Sequence, residues 1–243
     1  MIKQSKIVLF ALTTLLAFAP WMMAGPPLIC HALDIGNAQS LPWNPDLTLW
    51  NQNAKTNYDR SHLVQDTLAL LTPATPVIVR METLRRATLY AAQDQEIAKR
   101  LLIAVRARAL ELEKSGHPDA LASFDLGYLI ECYKQANLSY RKLDSGGWEA
   151  VIRPNPASHL DGYAWVEKAI RLRGEDSEIE FAAALMAIEG PAEQRSHRLE
   201  HGRRAVAGAG SDTLLASNLH QTWDSRTGET LASMLTRVET ATK

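Results

Sequence analysis

The pattern closest to a catalytic motif in this chain is the pentapeptide 197–201, in which Glu200 lies between His197 and His201. Two imidazoles four residues apart share one helix face and can bind Zn²⁺, while the glutamate can act as a general base. A zinc site of this kind needs a further protein ligand, for which the chain beyond His201 offers Asp224, Glu229 and Glu239. So short a match arises easily in a charged helix. A solvated helix face is therefore the favoured interpretation, and zinc hydrolysis is the least favoured one.

Polar residues within apolar stripes are better candidates for a binding site. Asp125 shares the face of a predicted helix with Leu121 and Leu129, and Arg80 has a similar position on an earlier helix. A buried carboxylate is costly unless it is paired, so a buried Arg–Asp or Arg–Glu pair between neighbouring helices is the first interpretation. The alternative is a concave groove that binds a ligand or partner through Arg80, Asp125, Tyr128 and Glu131.

Aromatic residues in an irregular segment near the N-terminus offer a second candidate surface. Residues 33–75 contain several Pro and Asn residues and the dipeptide Gly36-Asn37, which favour turns, yet they also contain Leu41, Trp43 and Trp50. The simple interpretation is an irregular arm that lies over the helices. The alternative is that Trp43 and Trp50 line a ligand groove, since aromatic platforms suit sugars and peptides.

Motifs of several common enzyme classes are absent from the sequence. Gly146-Gly147 is followed by Trp148 and lacks the lysine of a phosphate-binding loop. The chain has no Gly-x-Ser-x-Gly elbow, and Cys30 and Cys132 have no base at motif spacing. We therefore expect no cofactor and no resident metal, with His197 and His201 as the remote exception.

The N-terminal residues have the pattern of a secretory signal peptide. Lys3 and Lys6 precede the apolar run 7–19, and small residues follow that run. Residues 1–32 fit a signal peptide cleaved after Ala32, and cleavage after Ala24 is the other option. We expect an exported protein, periplasmic or secreted, that meets a membrane only if this segment stays uncleaved.

The net charge bears on which partners the chain can bind, and the cysteine content bears on whether it can form a disulfide. Removal of Lys3 and Lys6 with the signal changes the formal net charge from −1 to about −3, which gives no preference for nucleic acid. The two cysteines, Cys30 and Cys132, allow one disulfide in an oxidising compartment, provided that cleavage precedes Cys30.

Composition and periodicity predict a single all-α domain over residues 33–243. Aromatic residues make up only 7% of the chain, while Ala, Leu, Arg and Glu are abundant. On the helix that begins at Pro76, Glu82, Arg85 and Arg86 are expected to face outward, and residues 145–156 are expected to form a loop. Apolar spacing and caps predict helices at 58–71, from 76, from 94 to about 116, and at 119–136, 157–172, 177–189, 191–207, 212–223 and 229–238.

The last of these helices contain an internal repeat. Lys168-Ala169-Ile170 matches Arg204-Ala205-Val206 at an offset of about 36 residues, and Asp176 matches Asp212 at the same offset. Gly174 likewise matches Gly210. A repeat of this length predicts stacked antiparallel helical hairpins, which serve mostly as binding surfaces.

Residues 157–223 resemble the tetratricopeptide-repeat family. The resemblance rests on Tyr163-Ala164-Trp165, on Glu167 to Leu172, on Asp176 and on Ala183-Ala184. It implies helix pairs that stack into an α–α superhelix with a groove for a partner. Two departures are that Gly174 stands where the family often has proline, and that the Trp-Leu-Gly-Tyr signature is absent.

These observations favour an exported helical-repeat protein that binds a protein or peptide partner in the cell envelope, without catalysis of its own. The alternative is a small-ligand binder or an enzyme built on the same helical stack, least of all a zinc hydrolase that uses His197, Glu200 and His201.

Overall fold

The computed structural model describes residues 26–44, 46, 57–92, 94–136, 138–142, 148–152, 155–210 and 212–223. Their secondary structure consists of helices and one pair of strands. In chain order it comprises α1 (Pro27–Cys30), a 3₁₀ turn (Arg60–His62), α2 (Leu63–Leu70), α3 (Val77–Ala91), α4 (Gln95–Lys114), α5 (Ala120–Ala136), β1 (Leu138–Lys142), β2 (Trp148–Ile152), α6 (Gly162–Arg173), α7 (Ser177–Ile188), α8 (Ala192–Gly208) and α9 (Thr213–Trp223). Residues 1–24, Trp50 and the predicted helix 229–238 lie outside the described residues.

Capping residues explain where several helices begin and end. Asp94 accepts hydrogen bonds from the N–H groups of the first turn of α4, and Asp161 and Asp176 do the same for α6 and α7. Gly116 and Gly174 adopt positive φ angles of 76° and 78° directly after α4 and α6, a conformation that favours glycine and stops a helix. These boundaries agree with the predicted ones to within a few residues.

The predicted loop 145–156 is wrong in part, because the chain forms an antiparallel hairpin there. Leu138 pairs with Ile152 at the base of the hairpin, and Lys142 pairs with Trp148 near its tip. Two-residue alternation is hard to distinguish from irregular structure in strands of only five residues each. The hairpin separates α5 from α6, so α6 begins later than the predicted residue 157.

The helix α3 is buried around nearly its whole circumference. Glu82 and Arg85 have side chains that are 0% and 3% exposed, and that of Arg86 is 15% exposed. The prediction that these three residues face outward is therefore wrong. The N-terminal segment 28–43 covers that face of α3, and its backbone supplies hydrogen-bonding partners for the two arginines.

The helices pack in pairs, with α5 against α6 and α7 against α8 as the most extensive contacts. The helix α3 contacts α5 more extensively than it contacts α4. At the α5–α6 contact, a Cβ atom built on Gly127 would lie 2.5 Å from the carbonyl oxygen of Gly162. The absence of both side chains lets the two backbones approach closely.

The prediction of an α-helical architecture with packed helix pairs is confirmed for the described part of the chain, apart from the β1–β2 hairpin. In that same part, no helix combines the length and the apolar character that a membrane crossing requires.

We expect Gly127→Ala to destabilise the protein by about 1–3 kcal/mol, because the new methyl group meets backbone that cannot move aside. Urea denaturation measures the change. Gly210→Ala is the matched control, since a Cβ atom there would meet nothing within 4 Å, and its free energy of unfolding should stay close to the wild-type value. Equal effects of the two substitutions would contradict the close approach of α5 and α6.

Candidate functional site

A groove of about 690 Å³ lies where the C-terminal ends of α6 and α8 meet the N-terminal end of α7. The helices α6 and α8 contain the two copies of the repeated tripeptide, and the central alanines of both copies, Ala169 and Ala205, are fully buried. The two copies therefore face the core in the same way. The groove is lined by Ile170, Arg171, Gly174, Glu175, Asp176, Ser177, Glu180, Arg204, Ala207 and Gly208.

Two local contacts shape this groove. Asp176 caps α7 and also accepts a hydrogen bond of 2.5 Å from Nε of Arg173, so the α6–α7 turn is fixed from both sides. Gly208 lies directly against Ser177, because a Cβ atom built on the glycine would be 2.6 Å from the Ser177 Cβ. The floor of the groove is therefore formed by closely packed backbone.

A buried chain of polar side chains lies behind the groove and joins α6, α7 and α8. The hydroxyl of Tyr163 is 2.7 Å from Nε2 of His201, and Nδ1 of His201 is 2.5 Å from Oε2 of Glu180. The other carboxylate oxygen of Glu180 accepts a hydrogen bond of 3.3 Å from Arg204, a half-exposed residue that lines the groove. Glu180 therefore links the core of the protein to the groove.

The predicted motif 197–201 is part of this chain. Both ring nitrogens of His201 contact protein partners, and Glu200 pairs with Arg204. His197 is exposed, and its ring centroid is 6.3 Å from that of His201. Among the described residues, no group of three or more His, Cys, Asp or Glu side chains is placed to hold a metal ion. The candidate third ligands Asp224, Glu229 and Glu239 lie outside the described residues.

The predicted residues Arg80 and Asp125 pair with each other inside the core. Nη1 of Arg80 is 2.6 Å from Oδ2 of Asp125, and both side chains are at most 2% exposed. Arg80 also donates hydrogen bonds to the backbone carbonyls of Thr72 and Thr75, which precede α3. The arginine therefore joins the α2–α3 connection to α5, which is the buried pair that the sequence predicts as the first interpretation.

The environment of Asp125 opposes its negative charge. Burial raises the pKa of Asp125 to about 6, although Arg80 and Arg108 lower it. Its second oxygen, Oδ1, has no hydrogen-bonding partner among the described residues.

Tyr128 and Glu131 lie on the same helix as Asp125 but have different surroundings. Tyr128 is buried and stacks on Phe124, with ring centroids 5.6 Å apart. Glu131 accepts hydrogen bonds of 2.9 Å from the Gly162 backbone and 2.8 Å from Lys134. It also lines a second cavity of about 470 Å³, between the end of α5 and the start of α8. Of the four predicted groove residues, Glu131 lines one of these two cavities, and Arg80, Asp125 and Tyr128 line neither.

Trp43 packs against the arginines of α3. The Cζ atom of Arg85 lies 4.4 Å from the centroid of the Trp43 ring, and that of Arg86 lies 5.6 Å away. These contacts stabilise the arm on α3 through cation–π interactions. A ligand-binding role for Trp43 and Trp50 stays a prediction.

The sequence prediction missed Tyr163, Glu180 and Arg204. Glu180 follows the rule that singled out Asp125, because it is an acid within the apolar run Ile179 to Ala184. The contact from Glu180 to His201 spans 21 residues and two helices. A local sequence pattern does not predict a contact between residues so far apart in the chain.

No protein-family model, curated protein or solved structure matches this chain.

We expect His201→Ala to destabilise the protein by about 2 kcal/mol or more, because Glu180 and the Tyr163 hydroxyl lose a buried partner. His197→Ala is the matched control on the same helix, and it should change stability by less than about 0.5 kcal/mol because His197 is exposed. Urea denaturation of both variants measures the difference. Two equally mild variants would show that the buried chain does not join the helices.

Proposed function

We propose that this protein is a helical-repeat scaffold that binds a protein or peptide partner and performs no catalysis of its own. The groove between the matched helices α6 and α8 is the observation that carries this proposal. Stacked helical hairpins bind partners along such grooves. The resemblance of residues 157–223 to tetratricopeptide repeats supports the same conclusion.

The lining of the groove suits a polar, extended partner. Arg171 and Arg204 supply cations, while Glu175 and Glu180 supply anions. A non-obligate protein interface contains charged and polar groups of this kind, with arginine among its preferred anchors. Leu172, which is 42% exposed, follows Arg171 in the chain and offers an apolar contact near the groove.

The small-ligand alternative has less support from the same observations. Asp125, one of its residues, pairs with Arg80 within the core and lines neither of the two cavities described above, whereas Glu131 lines the smaller one. A third, Trp43, already has Arg85 over its ring.

Site-specific photo-crosslinking tests the groove. A photoreactive amino acid at Ala207, which lines the groove, should capture a discrete partner in cell-envelope extract, whereas one at Ala107 on the exposed side of α4 should not. Arg171→Glu should weaken the capture about fivefold or more, because it replaces an arginine anchor by an acid. Equal capture at the two positions, or capture that Arg171→Glu leaves unchanged, would contradict the proposal.

We propose further that the protein is exported and that its signal is cleaved after Ala24. The segment after this position supports the choice, because Leu28 and Ile29 are 1% exposed and lie in the core. The Leu28 N–H donates to Gln135, and Arg85 donates to the Ile29 carbonyl. Cleavage after Ala32 would remove these contacts. Cleavage after Ala24 also keeps Cys30 in the mature chain. Both Cys30 and Cys132 are free thiols in this structure.

N-terminal sequencing of the exported protein should begin at Gly25. A chain that starts at Leu33 should be less stable in urea by about 3 kcal/mol or more than one that starts at Gly25, because two buried side chains are lost. An exported chain that begins at Leu33 and is as stable as the longer one would overturn this assignment.

A further inference from the structure

The helix α4 surrounds an exposed apolar side chain with basic residues. Ile103 is 66% exposed, the largest value for a large apolar residue in the described part of the chain, whereas its neighbours Leu101 and Leu102 are buried. The helical period places residues at positions 96, 99, 100, 106, 107, 110 and 114 on the same side as Ile103. We call this side the cationic face, and its residues are Glu96, Lys99, Arg100, Ile103, Arg106, Ala107, Leu110 and Lys114.

The charge of this face is strongly positive. It contains four basic residues and one acid, and all five of them are exposed. The acid, Glu96, accepts a hydrogen bond of 2.7 Å from Lys99. Arg100, Arg106 and Lys114 form no ion pair with any other described residue. These three cations are therefore available to a partner, although the chain as a whole has a formal net charge of −1.

The other charged side chains of α4 lie off this face. Arg108 donates a hydrogen bond of 2.7 Å to the carbonyl of Leu71, which holds it against the end of α2. Glu113 forms an ion pair with Lys168 of α6. Glu111 lies about 80° around the helix from Ile103, at the edge of the face. The unpaired positive charge of α4 is therefore concentrated on the side that faces solvent.

The shape of the cationic face favours a lipid surface as its occupant. The face follows a helix of 20 residues, which spans about 30 Å, and neither of the two cavities described above contains a residue of α4. A peptide needs a groove or pockets for its anchors, whereas a membrane needs only an accessible side. The phosphates of a nucleic acid would meet the cations but would leave Ile103 without an apolar partner. Basic residues around an exposed apolar one are typical of helices that lie in a membrane interface.

We propose that the cationic face of α4 docks the protein on a membrane surface that contains anionic lipids. Arg100, Arg106 and Lys114 contact the lipid phosphates, and Ile103 enters the boundary between headgroups and acyl chains. The helix then lies in the plane of the membrane and does not cross it. This attachment does not require the N-terminal segment, unlike the one predicted from the sequence. It is also independent of the proposed partner, because the groove between α6 and α8 contains no residue of the cationic face.

Co-sedimentation with lipid vesicles tests the docking. The protein, as purified from the cell envelope, should bind vesicles of phosphatidylglycerol and phosphatidylcholine more tightly than vesicles of phosphatidylcholine alone. Arg100→Gln combined with Arg106→Gln should lower the partition coefficient on the anionic vesicles about 25-fold, since each basic residue near such a surface contributes about fivefold. Ile103→Ser should lower it about fivefold, because serine adds no apolar area to the interface.

Arg198→Gln combined with Arg203→Gln is the matched control for the loss of two charges. These arginines are exposed on α8, outside the cationic face, and their removal should change the partition coefficient less than about twofold, because salt screens distant charges. Urea denaturation should give the same midpoint for both double variants and the wild type, since all four arginines are exposed.

Three results would overturn the proposal. The first is equal binding of the wild-type protein to neutral and anionic vesicles. The second is an equal loss of binding in the two double variants, since the net charge and not the cationic face would then control the attachment. The third is the absence of binding to anionic vesicles together with capture of an acidic protein by a photoreactive amino acid at Ile103, which would identify the face as a protein-docking surface.

Discussion

The burial of the charged residues of α3 is the constraint on which the first half of the structure depends. A charged side chain in a protein interior must be paired, because its desolvation is otherwise too costly. The carboxylate of Glu82 meets this requirement with bonds of 2.7 and 2.9 Å from Arg85 and 2.7 Å from Arg86. It also accepts a hydrogen bond of 3.0 Å from the Leu33 backbone, so the cluster binds the arm as well as itself.

The same cluster explains why the N-terminal arm has a fixed path without regular structure. Arg85 and Arg86 donate to the carbonyls of Ile29 and Leu41, and the Tyr90 hydroxyl donates to the carbonyl of Pro42. Backbone groups of an irregular segment need partners when they are buried, and α3 supplies them from its side chains. Residues 28–43 are therefore part of the core and not a loose cover over it.

The sequence predictions succeeded where an interaction is local and failed where it joins residues far apart in the chain. Asp94, Asp176 and Gly174 act on residues within one turn of themselves, so the helix boundaries that they set could be predicted from local pattern. The outward orientation assigned to Glu82 was wrong, because its environment is set by residues 49 positions away. A charged residue on an amphipathic helix faces solvent only if no other segment covers it. The periodicity of the helix does not predict whether a distant segment will do so.

The predictions for the candidate site likewise succeeded for one residue pair and failed for the residues of the groove. The pairing of Asp125 with Arg80 agrees with the first interpretation of a polar residue in an apolar stripe, since such a residue needs a partner wherever the fold places it. The identity of the groove residues could not be obtained in this way, because the groove exists only where α6 and α8 converge on α7. The repeat predicts that such a convergence occurs, and the three-dimensional packing decides which side chains line it.

The two acids of α7 show how the type of compensation determines the behaviour of a helix contact. Glu180 is balanced by His201 and Arg204, both from α8. Glu178 lies two residues earlier on α7 and accepts a hydrogen bond of 3.1 Å from the Ile78 N–H at the start of α3. The α7–α8 contact is therefore held by side-chain partners of Glu180, whereas the contact from Glu178 to α3 uses a backbone donor.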